Sequence, residues 1–434
     1  MRIDGLVPGG QGIGTNSDGK KGFFWNALPG ETVADYQITK NKSSYFEAIA
    51  TKIENPSPHR IAPKDDCYLS TSPWQIMDYG YELEQKLELL KEQYGQFGIS
   101  LNNFFAGDTE PGKASTSAFF SVATVRRDEK AKMLAFSSSS EERLSHETEK
   151  NNTLQEKNIQ TDGIELGYRN KMEYALYYNN EDGLIYPACR HRGTHIKFPI
   201  TQSSLERPEI WAKCQEIFAD LNARGEEARK YQTLLLRCNQ EGVVSGGLLE
   251  NGKSHPVFEP LKDTLLGHEY SYSPNGFFQI NLPVYELALK AIAGHLGDQQ
   301  KVLDLYAGVG TIGLSVARDR DLTLVELNGS AYQELQHNCE GTSAKPVLSA
   351  SEEALEYIES DQAVIVDPPR AGLDNKLIDK LLEVHPPKII YLSCNPATQA
   401  RDAKKLLEKY RITSCVPFNF FPRTPHLENL LIFE

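Results

Sequence analysis

The 434-residue chain carries 59 Asp and Glu against 46 Lys and Arg, a formal net charge of −13 at neutral pH. That length exceeds what one hydrophobic core usually fills, which predicts two or three domains. The charge excludes a protein that coats nucleic acid non-specifically, so any nucleic-acid partner must meet a local basic patch. The opening MRIDGLVPGGQGIG lacks the basic-then-apolar pattern of a signal peptide, and no apolar run approaches the roughly 18 residues of a membrane span. The chain is therefore expected to be cytoplasmic, with no membrane partner. Cys67, Cys189, Cys214, Cys238, Cys339, Cys394 and Cys415 are odd in number, scattered and never form CxxC, which disfavours a disulfide scaffold or a clustered zinc site.

In chain order, residues 1 to about 55 hold short runs of strand character (GFFWNAL, ADYQITK, SYFEAIATKI) between turn signals such as PGGQG and SDGKKG, the pattern of a small barrel. Tyr79, Leu83, Leu87, Leu90 and Tyr94 then recur at helical spacing, predicting a charged helix with one apolar stripe. From about 107 to 165 the chain turns polar, most of all in SSSSEERLSHETEKNNTLQEKN, and an exposed, partly disordered insertion is expected there. Short β-rich pieces (MEYALYY, HIKFPI, TLLLRC) around one helix near PEIWAKCQEIFADLN follow, predicting an α+β region.

From about 280 onward helices alternate with the apolar runs KVLDLY, LTLVEL, KPVLS, AVIVD, KIIYLS, ITSCVPF and LENLLIF. This rhythm predicts an α/β, doubly wound, mostly parallel sheet with ligands at the carboxyl ends of its strands. The first run opens into AGVGTIG, whose Gly308, Gly310 and Gly313 fit GxGxxG and let backbone amides approach a ligand. Glu326 closes the next strand, where a carboxylate can accept both ribose hydroxyls of an adenosine cofactor. Nicotinamide cofactors and S-adenosylmethionine share that ribose, so the spacing leaves the choice open. Asp367 ends AVIVD and starts the stiff turn DPPR, which points toward methyl transfer to nucleic acid.

Cys394 stands just past KIIYLS, at the carboxyl edge of the sheet. Carbon 5 of uracil is a poor nucleophile, and thiolate addition at carbon 6 raises its electron density, splitting one hard step into two. An exposed strand end beside a cationic cofactor is expected to favour the thiolate. A proton must afterwards leave carbon 5, and Glu428, in RTPHLENLLIF, is the candidate base, with His426 alongside as a residue that could face the same cleft.

These segments resemble the RNA uridine-5-methyltransferases, the family that includes bacterial ribosomal RNA and transfer RNA enzymes. The resemblance rests on SPNGFFQIN, VLDLYAGVGTIGL, VDPPRAGL, YLSCNPATQARD and FPRTPHLEN, in that order, and extends upstream through GYRNKMEY and LVPGGQGIG…NALPGE. It implies a class I S-adenosylmethionine methyltransferase domain (266–434), a central α+β domain (59–265) and an N-terminal TRAM-like, OB-type barrel that binds RNA (1–58). It implies Gln279, Tyr306, Gly308, Gly310, Thr311, Glu326 and Asp367 as cofactor contacts, Cys394 as nucleophile and Glu428 as base. Thr311 stands where many members have Asn, a change that keeps a hydrogen-bonding group. Members with a TRAM barrel often bind a four-iron cluster through four cysteines. Here CYLSTSPWQIM keeps only Cys67 and SSLERPEI has none, so no iron–sulfur cluster and no metal are expected.

A carbon-5 cytosine methyltransferase would place Cys beside the prolines of DPPR, where this chain has Arg370. A nicotinamide-dependent oxidoreductase would leave SCNP and HLEN unexplained, and a binding-only protein would not keep every catalytic motif. The barrel favours 23S ribosomal RNA as substrate, with a transfer RNA uridine as the alternative, for an enzyme acting as a monomer. Lys20, Lys21, Lys40, Lys42, Arg190 and Arg192 are the candidates for the basic face that contacts RNA.

Overall fold

The computed structural model describes residues 1–105, 158–225, 230–250 and 256–434. The greater part of the polar 107–165 stretch lies outside them.

Five strands, β1 (Gly5–Leu6), β2 (Gly12–Thr15), β3 (Lys21–Trp25), β4 (Thr32–Asn41) and β5 (Tyr45–Glu54), form a sheet in the order β1-β2-β3-β5-β4. Alternate positions of β3 and β5 turn Phe24, Phe46, Ala48 and Ala50 onto Ile3, Ala27 and Val33. The fully buried Glu31 carboxylate accepts two hydrogen bonds from Arg60, at 2.6 and 2.7 Å, and so pins the outgoing chain to this sheet.

The predicted helix runs Tyr79–Gly95, capped where the Asp78 carboxylate accepts from the Tyr81 amide at 2.9 Å. Its buried face differs from the apolar stripe read from spacing. Leu89, Leu90 and Tyr94 are buried, but so are Glu82, Gln85, Lys86 and Gln93, while Leu83 and Leu87 are only partly covered. Glu82 and Lys86 form an ion pair at 2.8 Å that is closed to solvent. Lys86 donates to Asn419 Oδ1 and Phe421 O, and Glu82 accepts from the Arg423 amide. This polar face exists because the backbone of the 419–423 turn needs partners once it is buried.

The central sheet contains β6 (Lys171–Tyr178), β7 (Ile185–Arg190), β8 (Lys197–Pro199), β9 (Tyr231–Cys238) and β10 (Val244–Glu250), in the order β10-β9-β6-β7-β8 and antiparallel throughout. The helix Pro208–Arg224 covers one face with Ile210, Cys214, Phe218 and Leu221. A hairpin of β11 (Leu261–Leu265) and β12 (His268–Tyr272) leads into the last region.

There, β13 (Lys301–Leu305), β14 (Asp321–Glu326), β15 (Lys345–Leu348), β16 (Ala363–Val366), β17 (Lys388–Ser393), β18 (Ile412–Phe418) and β19 (Glu428–Phe433) form one sheet in the order β15-β14-β13-β16-β17-β19-β18. The first five are parallel, and β19 is antiparallel to both neighbours. Val302, Leu322, Ile365 and Ile390 face one core; Leu303, Val325, Val364 and Ile389 face the other. Burial on both sides explains why these strands read as continuous apolar runs. This is the α/β, doubly wound class I methyltransferase fold expected from the sequence, and its strand order reverses between β13 and β16, where a crevice opens.

Candidate active site

A cleft of about 1930 Å³ lies over the carboxyl ends of β13, β14, β16 and β17. Its first wall is the turn after β13. Tyr306, lining the cleft, has φ of 63°, a strained conformation for a residue with a Cβ, and Gly308 follows at 58°. The Gly308 amide donates to Glu326 Oε2 at 2.8 Å, and Glu326 Oε1 accepts from the Asn328 amide at 2.6 Å. The Glu326 carboxylate therefore stands against the glycine turn on the cleft wall. Thr311 is buried beside it, its hydroxyl 2.8 Å from that of Tyr285. Gln279 and the exposed Phe277 approach from the Ser273–Asn281 segment.

The glycines divide by role. Gly308 lines the cleft, whereas Gly310 does not: a Cβ there would come within 2.6 Å of Leu335 and 2.9 Å of Leu314, so its place in the motif is a packing requirement. Gly313 gives its amide to Asp304 Oδ2 at 2.8 Å, the distance at which a Cβ would strike the same oxygen. Burial pushes the Asp304 carboxyl up to about 7, and its other oxygen has no partner among the described residues. Sequence reasoning passed over Asp304 because an acid inside an apolar strand gives no local sign of its partner.

The second wall carries Asp367, Arg370, Cys394 and Glu428. Asp367 follows β16 and Cys394 follows β17. The last β17–β19 pair is Ser393 with Asn429, so continuing that antiparallel register one step sets Cys394 across from Glu428. Sheet pairing thus joins two residues far apart in the chain. Glu428 is 3 % exposed, and its Oε2 has no hydrogen-bond partner among the described residues. Burial, then the neighbouring Asp367, pushes its carboxyl well above the usual range, with Arg370 opposing. Burial also lifts Asp367 to about 7.

The strand end at Cys394, expected to be exposed and to favour a thiolate beside a cationic cofactor, is partly covered. Cys394 is half-buried, and burial together with the charges of Glu428 and Asp367 pushes its thiol up to about 11, with Arg370 pulling the other way. His426, the alternative to Glu428, is not among the residues lining the cleft; burial and surrounding cations lower its imidazole to about 4. Arg370 was legible only as the fourth letter of DPPR, and its place beside Cys394 and Glu428 emerges from the fold.

A family model for tRNA (Uracil-5-)-methyltransferase matches residues 352–434, the stretch that holds Asp367, Cys394 and Glu428. Over that stretch the chain is similar to the RNA uracil-5-methyltransferases. An uncharacterized RNA methyltransferase of Lactobacillus johnsonii is 28 % identical over 445 residues, covering 96 % of this chain and 94 % of its own length. One from Prochlorococcus marinus is 34 % identical over 222 residues, 46 % of this chain and 52 % of that protein. The fold matches along the full length of both chains that of Pyrococcus abyssi tRNA (uracil-54, C5)-methyltransferase, solved in complex with S-adenosyl-L-homocysteine, with a TM-score of 0.69 at 20 % identity.

The neighbouring Cys189 on β7, together with burial, pushes the Cys67 thiol up. Among the described residues no group of three or more His, Cys, Asp or Glu is placed to hold a metal ion, and no helix is long and apolar enough to cross a membrane.

Proposed function

We propose that this chain, as a member of a family of S-adenosylmethionine-dependent RNA methyltransferases, methylates carbon 5 of a uridine in RNA, with Cys394 as nucleophile and Glu428 as base. The observation that carries this reading is that Cys394, one step beyond the last β17–β19 pair, lines the same cleft as the glycine turn and as the buried Glu428, whose Oε2 has no hydrogen-bond partner among the described residues. The residues present fit the cofactor: Glu326 offers a carboxylate for ribose hydroxyls, and Gly308 leaves room for close backbone approach. Gln279, Tyr306, Thr311 and Asp367 line the same space and would hold the rest of it. Bound S-adenosylmethionine supplies the methyl group.

The target base must be unstacked and turned into the cleft to reach Cys394. Once its proton is lost to solvent, the Cys394 thiolate adds to carbon 6 and opens the carbon 5–carbon 6 double bond, and carbon 5 would then take the methyl group from the bound sulfonium, leaving S-adenosylhomocysteine. Glu428 then takes the proton from carbon 5, the carbon 5–carbon 6 double bond re-forms and the carbon–sulfur bond breaks, releasing Cys394. A carboxylate whose proton affinity is raised by burial is the stronger base for that step.

On the N-terminal five-stranded sheet, read as an RNA-binding barrel, 23S ribosomal RNA is the favoured substrate. A transfer RNA uridine is the second reading, supported by the end-to-end fold match to the Pyrococcus abyssi enzyme. Incubating the chain with labelled cofactor and unmodified ribosomal and transfer RNA transcripts is expected to place label in 5-methyluridine of one of them, identified by mass spectrometry of the nucleosides. Label in 5-methylcytidine, or none despite cofactor binding, would overturn the reading.

The basic face is narrower than charge counting suggests. Lys40 is paired with Glu47 at 2.8 Å, and Lys20 donates to Asn41. From the end of β7 to the start of β8, Arg190, His191, Arg192, His195 and Lys197 follow without an acid between them. Arg192 lies 4.1 Å from the ring centroid of Trp25 on β3 and donates to Leu69 O, which ties this loop to the first sheet. If that junction meets the RNA backbone, Arg192→Ala should weaken binding severalfold and reduce the slope of log affinity against log salt by about 1. An unchanged slope in fluorescence anisotropy would place the RNA elsewhere.

A further inference from the structure

Arg237 is among the largest fully buried side chains of the protein, and although the charges of Asp263 and Glu334 act on it, its hydrogen bonds among the described residues go to backbone carbonyls. It sits on β9 directly across from Lys171 on β6, and both point their cations at the segment that brings Gln279 to the cleft. Arg237 Nη1 donates to Gly276 O at 3.0 Å and Nη2 to Phe278 O at 2.5 Å. Lys171 Nζ donates to Asn275 O at 3.3 Å. Asn170, the residue before β6, gives its side-chain amide to Gln279 O at 3.0 Å and its backbone amide to Ile280 O at 3.1 Å. Five carbonyls between 275 and 280 are therefore held by donors from the central sheet. Phe278 stacks on Tyr272 with centroids 3.8 Å apart, and the guanidinium lies over both rings.

A buried cation is tolerated only where oxygen acceptors or aromatic faces replace its water. Burial lowers the Arg237 guanidinium to about 10, so it remains charged at neutral pH, and its Nε has no partner among the described residues. Moving the 275–280 segment away would strip the remaining acceptors from that charge, which leaves the segment one favourable position. Gln279, near its far end, lines the same cleft as the glycine turn.

We propose that Arg237, seconded by Lys171 and Asn170, is a positioning residue for cofactor binding: the central sheet clamps the 275–280 backbone and thereby sets the affinity of the cleft for its nucleoside ligand. The proposal rests on the methyltransferase reading given above. Its test measures S-adenosylhomocysteine binding to the full chain by calorimetry, together with hydrogen exchange of the 273–281 amides. Arg237→Met is expected to weaken binding roughly 10- to 100-fold, the range for losing hydrogen bonds to a charged group. The cofactor KM should rise in parallel while kcat at saturating cofactor stays within about threefold, the pattern of lost ground-state binding. Arg237→Lys should recover part of the affinity. Should Arg237→Met fail to fold, Lys171→Met carries the test, with a loss of about two- to fivefold and faster exchange at 273–281. Unchanged affinity in a folded Arg237→Met or Lys171→Met protein would overturn the clamp. A wild-type chain that binds no S-adenosylhomocysteine would overturn the methyltransferase reading instead, and exchange at 273–281 would still decide the clamp: faster in the variants supports it, unaltered refutes it.

Discussion

Cys394→Ala should abolish methylation of RNA, by at least about 10⁴-fold, while leaving S-adenosylhomocysteine affinity within about twofold of the parent. The first half follows from chemistry: without sulfur addition at carbon 6, carbon 5 of uracil is not electron-rich enough to attack a methyl group. The second follows from placement, because Cys394 is not among the groups that would hold the cofactor, whereas Glu326 and the glycine turn are. Single-turnover assays with labelled cofactor measure the first and calorimetry the second. Methylation persisting in the variant would remove Cys394 from the mechanism. The wild-type pH profile carries related information. Because the resting thiol is pushed up to about 11, its reactive thiolate becomes more populated as pH rises, and kcat/KM is expected to climb through neutrality up to at least about pH 8. A profile already flat at pH 6.5 would mean that the thiol is ionised in the resting protein.

Glu428→Gln should separate the two halves of the reaction. Glutamine keeps the shape of the buried side chain but cannot accept the carbon 5 proton, so sulfur addition and methyl transfer can proceed while elimination stalls. The expected product is RNA covalently bound to protein and already methylated, visible as a retarded band on a denaturing gel that carries label from the cofactor methyl group. Turnover should fall about 10²- to 10⁴-fold, the usual contribution of a positioned base. Cys394→Ala combined with Glu428→Gln should yield no band, which ties the adduct to this thiol. Free 5-methyluridine released at the parental rate would show that another group removes the proton. Asp367, beside Glu428 and lifted to about 7, would then be the residue to replace next.

The sequence by itself determined the doubly wound C-terminal sheet. Strands buried on both faces must be apolar along their whole length, and every run read there, from KVLDLY to LENLLIF, became a strand. Strand-end turns and the family resemblance together named Gln279, Tyr306, Gly308, Thr311, Glu326, Asp367, Cys394 and Glu428, and these residues line the cleft, while their roles belong to the proposal. Tertiary structure alone decided the rest. Gly310 proved to serve packing against Leu335, a helix away, and Glu82 and Lys86 proved buried because the 419–423 backbone, more than 330 residues later, must be satisfied. Nothing local marks Arg237 as the cation that holds the segment carrying Gln279. The protonation of Cys394 likewise depends on burial and on carboxylates brought in by β16 and β19. Periodicity and motif spacing report on the near neighbours of a residue in the chain. Desolvation and hydrogen bonding across elements depend on which distant groups the fold brings together, and that is where the chemistry of this site is set.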